Sequence, residues 1–135
     1  MSAGKYSFTI EQGATLDFEI QYKDSSGNPI DLTGYTGAMQ IRSNYSGSGT
    51  TYLTFTSSLI DTTPDKTSSS VFLCFEGSNQ TKPTTSGSIG IYAGYAATER
   101  LSFTDQAYYD LEITSGSIRT RILEGRVNLS KQVTY

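Results

Sequence analysis

Two pairs of carboxylates stand at a spacing that chemistry can use. Asp17 and Glu19 share one face of an alternating segment, and Asp110 and Glu112 share one face of another. Paired carboxylates flanking a bond are the machinery of glycoside hydrolysis, one as acid and one as base or nucleophile. The plainer reading fits better: carboxylates on the polar face of a strand are solvated, and they discourage edge-to-edge docking of sheets. The turn Asp24-Ser25-Ser26-Gly27-Asn28-Pro29-Ile30-Asp31 brings three oxygen donors, Asp24, Asn28 and Asp31, that suit Ca²⁺. Their spacing is not that of a calcium loop, so a turn is expected. Cys74 is the only cysteine, and no histidine occurs anywhere. That removes Ser-His-Asp, Cys-His and His-based metal chemistry together. Cys74 lies inside an apolar run and reads as a small buried residue. The expectation is a chain that is not an enzyme and holds neither cofactor nor metal.

The side chains left for recognition are aromatic and basic. The chain has ten tyrosines and no tryptophan. Tyrosine fills sheets well, and it is also a rigid amphipathic contact residue. Tyr45, Tyr52, Tyr92, Tyr95 and Tyr135 lie near turns or ends and are candidate protein contacts, together with Arg119, Arg121 and Arg126 in the final strands. The net charge of −3 argues against an electrostatic grip on nucleic acid or on an anionic membrane. No apolar run reaches the ~18–20 residues of a membrane span, and the N-terminus lacks the apolar core of a signal peptide. Synthesis in a cytoplasm without secretion is expected.

Strands must position these residues. Leu16, Phe18, Ile20 and Tyr22 alternate with Asp17, Glu19, Gln21 and Lys23, the period of a half-buried strand. Tyr109, Leu111 and Ile113 repeat the pattern, a Ser115-Gly116 turn follows, and the chain returns through Ser117–Leu123 and resumes with Val127 and Leu129. Shorter alternations run through Phe8 and Ile10, Met39 and Ile41, Leu53 and Phe55, Leu73 and Phe75, and Ile89 and Ile91. A short strand near Leu59-Ile60 is also expected. Tyr95–Leu101 is the one helical segment, two turns at most, and Asp31 is expected to cap a single turn that plugs the end with Leu32 and Tyr35. About eight strands with turns between them and no βαβ rhythm predict one all-β domain over 1–135, an antiparallel sandwich with a flexible lead-in at 1–5. The predicted core is Phe8, Leu16, Phe18, Ile20, Met39, Ile41, Leu53, Phe55, Leu73, Ile89, Ile91, Leu111, Ile113 and Val127. The polar segments 43–50 and 77–87 lack apolar anchors and are expected to be mobile.

The order of several motifs is familiar. Ile10–Gly13 ("I-x-Q-G"), Gly27–Tyr35 ("G-x-P-I-D-L-T-G-Y"), Met39–Arg42 ("M-Q-I-R"), Tyr109–Ile113 ("Y-D-L-E-I") and Leu123–Val127 ("L-x-G-x-V") follow one another. In this, residues 10–42 and 107–134 resemble small virion proteins of tailed bacteriophages, of the marine and cyanobacterial kind. The resemblance covers about half the chain; residues 43–106 are not distinctive. It implies an immunoglobulin-like β-sandwich similar to the amino-terminal domains of baseplate or tail-fibre attachment proteins. It also implies a place in the virion and oligomeric contact with other phage structural proteins, in the tail, baseplate or neck. A capsid decoration protein is the near alternative. A carbohydrate- or receptor-binding sandwich is the more distant one, weakened by the absence of a tryptophan platform.

Overall fold

The computed structural model describes residues 4–44, 49–57, 65–102 and 106–131. Within them the chain forms β1 (Gly4–Lys5), β2 (Phe8–Glu11), β3 (Leu16–Gln21), β4 (Thr36–Arg42), β5 (Thr51–Thr56), β6 (Val71–Cys74), β7 (Ser88–Ala93), α1 (Tyr95–Glu99), β8 (Ala107–Ser115) and β9 (Ile118–Ser130). The larger sheet runs β1/β2–β9–β8–β4–β5, and the smaller runs β3–β7–β6. This order is that of an immunoglobulin-like sandwich. All pairings between strands are antiparallel except those of β1 and β2, which lie one after the other along β9 and parallel to it. Residues 4 and 5 are thus part of the sheet, where the sequence reading had a flexible lead-in.

Strict alternation builds the core. Every predicted inner position lies in the central apolar cluster or packs against it; Met39, Ile41, Phe55, Leu73, Ile89, Ile91, Leu111 and Val127 are essentially inaccessible. Each such large side chain contributes about 1.5–3 kcal/mol by leaving water. No tryptophan or inter-sheet disulfide is available to this sandwich, so aliphatic packing carries the centre. Phe8 bridges the sheets at one side, its ring 5.1 Å from Phe18 and 5.0 Å from Tyr109.

The ends are closed by polar turns and one plug. Leu32 is buried, and Asp31 Oδ1 accepts the Thr33 amide at 2.9 Å. The result is a turn, Tyr35 N–H bonding back to Leu32 O, and the helical turn expected there does not form. The 77–87 segment has polar anchors in place of apolar ones. Ser78 N–H bonds Glu19 at 2.8 Å, Lys82 pairs with Glu19, and the Thr84 carbonyl accepts from Leu32 N–H. Gly90 of β7 lies directly under this segment, and a Cβ there would come within 2.7 Å of the Gly77 backbone. The expected strand near Leu59-Ile60 falls outside the described residues, as do residues 45–48 of the 43–50 loop; the two ends of that loop are joined by a Ser43–Thr50 backbone bond of 2.9 Å.

A second, smaller apolar cluster sits on the far side of the smaller sheet. Phe72, Cys74 and Tyr92 all point away from the core, yet all three are buried. The 65–70 segment lies over them. The Tyr92 hydroxyl donates to Thr67 O at 2.8 Å, and the Lys66 ammonium stands 5.7 Å from the Tyr92 ring centre while pairing with Asp17.

Candidate functional site

Because alternation sends Leu111, Ile113, Met39 and Ile41 inward, it sends Thr114, Glu112, Asp110 and Tyr108 of β8, and Thr36, Ala38, Gln40 and Arg42 of β4, to the outer face of the larger sheet. Register then fixes who stands beside whom. Four rows cross the strands: Arg119, Thr114 and Thr36; Arg121, Glu112, Ala38 and Thr56; Glu124, Asp110, Gln40 and Thr54; and Arg126, Tyr108, Arg42 and Thr51. Bulges at Leu111/Glu112 and at Ile41/Arg42 shift the register so that these outward residues stay in line.

The middle rows form an ion network. Arg121 stands 3.3 Å from Asp110 and 3.7 Å from Glu124; Arg119 stands 3.8 Å from Glu112; and Lys5, beside Glu124 in the adjacent lane, pairs with it. Burial, then the neighbouring Glu112 charge, holds Asp110 above its ordinary pKa, with Arg121 opposing. Glu124 is held below its own by the hydrogen bond from Lys5. Ala38 leaves a shallow polar trough of about 580 Å³ between Thr36, Gln40, Thr54, Glu112 and Arg119. In the last row, Arg42 donates to Gly49 O at 2.9 Å and to Gln40 at 3.3 Å, which fixes its guanidinium. Arg126 is exposed and makes no ion pair among the described residues.

Arg42, Arg119, Arg121 and Arg126 all lie on this one face; the remaining arginine, Arg100, follows α1. On β9, β8 and β4 that is four cations against three carboxylates, Asp110, Glu112 and Glu124, on a chain whose net charge is −3. The three arginines picked out from sequence are therefore brought together. The tyrosines are not. Tyr92 is 6% exposed beneath the 65–70 segment and presents no contact surface. Tyr95 is exposed at the start of α1, and Tyr52 is half-buried on β5. Tyr45 and Tyr135 fall outside the described residues. Arg42 and Tyr108 are the members that sequence reading missed. Their phase, with Gln40 and with Asp110, was the available signal.

The other sequence candidates are engaged locally. Asp17 pairs with Lys66 at 2.9 Å, and Glu19 binds Lys82 and Ser78. Asp24 Oδ1 accepts the Ser26 and Asn28 amides, both at 2.9 Å, closing its own turn, and Asp31 serves Thr33. Among the described residues, no three carboxylate or thiol groups cluster as a metal site. Burial pushes the Cys74 thiol up. No helix of the described residues is long and apolar enough to cross a membrane.

No protein-family model matches the chain, and no curated protein matches it in sequence. Among solved structures it is similar to a marsupial T cell receptor, at 12% identity and a TM-score of 0.46, over 96% of this chain. The chain spans about half, 51%, of that receptor chain.

Proposed function

We propose that this chain is a structural component of a tailed-phage virion, in the tail, baseplate or neck, and that it works by protein–protein assembly through the outer face of β9–β8–β4–β5. The virion part of the reading is supported by the ordered motifs at 10–42 and 107–134. The assembly part is carried by one observation: four arginines are gathered on a single sheet face of an acidic chain. Arginine is enriched at protein interfaces because its planar fork bonds carboxylates and carbonyls with little loss of freedom. The carboxylates between the arginines hold some of them in place and make the face selective, since a wrongly registered partner meets like charge. Many copies around a symmetric particle make individually weak contacts sufficient.

The test is to complement a phage lacking this gene with Arg119→Glu, Arg126→Glu or the double variant, and to measure the protein in purified virions. The expected result is folded protein in the lysate and reduced incorporation, most reduced for the double variant. Wild-type incorporation of the double variant would refute the assembly face.

A further inference from the structure

The four rows differ in one respect. Three carboxylates occupy the two middle rows, each beside a cation, whereas the last row holds Arg42, Tyr108 and Arg126 and no carboxylate. Arg42 and Arg126 are register partners of Tyr108 from opposite sides. Adjacent strands lie about 4.8 Å apart, so their backbones are about 10 Å apart, a gap that two arginine side chains close around one anionic group. Arg42 is already braced by Gly49 O and Gln40. Braced guanidinium groups lose less freedom on binding.

Resting on the assembly reading above, we propose that the Arg42–Tyr108–Arg126 row seats an acidic side chain of a different protein subunit, one carboxylate held between two guanidinium groups. A second copy of the same face, turned over about an axis across the middle of these rows, would bring Arg119 onto Arg126 and Glu112 onto Asp110, like charge on like, with only Arg121 onto Glu124 in complement, and this favours a different subunit. A phosphate backbone is not the occupant. Asp110 and Glu124 fill the next row and repel the phosphates that follow the first.

The experiment passes the folded full chain over immobilised poly-L-glutamate and over immobilised double-stranded DNA, at low and rising salt. Retention on polyglutamate is expected, about tenfold weaker for Arg126→Gln and for Arg42→Gln. Arg100→Gln should match the wild type. Circular dichroism on each variant separates loss of the seat from loss of fold. Absence of wild-type retention, equal retention on DNA, or an equal loss in Arg100→Gln would overturn the proposal. If Arg126→Glu abolishes incorporation into virions while the wild type ignores polyglutamate, the carboxylate seat fails and the assembly reading stands. Retention on polyglutamate with full incorporation of Arg126→Glu would show an anion seat that particle assembly does not use and would overturn the proposal, while the double variant decides the assembly face.

Discussion

The Tyr109 hydroxyl donates a 2.7 Å hydrogen bond to the Tyr6 carbonyl, and that carbonyl occupies the space a side chain on Gly125 would need. Tyr109 and Gly125 are themselves cross-strand partners. The first lane of the larger sheet is thus locked onto β9 where β1 gives way to β2. Tyr109→Phe leaves the carbonyl without this donor and should lower stability by about 1–2 kcal/mol in urea unfolding. Gly125→Ala puts a methyl group 1.9 Å from the Tyr6 oxygen, a clash with backbone that must push the lane away. Amide exchange at Phe8 and Ile10, whose N–H groups face β9, should then accelerate while β7 amides keep their protection. Unchanged exchange at both positions would show that this lock is not what holds the lane.

Alternation made most of this sandwich legible in advance. Leu16, Phe18 and Ile20 against Asp17 and Glu19, or Leu111 and Ile113 against Asp110 and Glu112, state which way each side chain points. What alternation cannot state is which strand lies alongside which. The parallel pairing of β1 and β2 with β9 joins residues more than a hundred apart, and it depends on close approach at Gly125. The Arg42–Tyr108–Arg126 row depends on cross-strand register and on two bulges, so alternation could show only that its members point outward, not that they stand side by side. Tyr92 shows a different limit. Its outward phase was legible, but outward is not exposed when another segment of the chain lies on top.

Phe55 and Phe18 should separate depth of burial from mere inward phase. Phe55 is inaccessible, whereas Phe18 is half-buried beside Tyr6 and Phe8. Phe55→Ala is expected to cost about 3–5 kcal/mol and Phe18→Ala clearly less. Equal losses by chemical denaturation would mean that the Phe18 side of the sandwich closes more tightly than its exposure indicates.

Glu19 should make stability depend on pH. The hydrogen bond from Lys82, then that from the Ser78 amide, holds its carboxyl below the ordinary 4.5. A folded-state pKa below the unfolded one gives stability that is fully present above about pH 4.5 and is lost as the pH falls through the lower folded value. Glu19→Gln should therefore be less stable than wild type at pH 7, and the difference should vanish in acid. Asp110 has the opposite sign: its raised folded pKa opposes folding at neutral pH, and the opposition is relieved by protonation. A Glu19→Gln deficit that persists unchanged at pH 3 would point to packing as its cause.

Lys66 pins the 65–70 segment through Asp17, the Ser78 carbonyl and the Tyr92 ring. The thiol of Cys74 beneath is 5% exposed, and burial keeps it protonated. It should react slowly with a thiol reagent in the wild type and severalfold faster in Lys66→Gln, at unchanged secondary structure. Equal rates would mean that the segment is held by the Tyr92–Thr67 bond and Ser70 without the lysine.

A map of the assembled particle shows which face of the chain meets a neighbouring subunit. Placed in an electron-microscopy reconstruction of the virion, the chain should lie with the outer face of β9–β8–β4–β5 against a neighbouring subunit, and an acidic side chain of that neighbour should reach Arg126 and Arg42. A copy bound through the opposite sheet, with Arg119, Arg121 and Arg126 facing solvent, would contradict the account, as would absence of the chain from the particle.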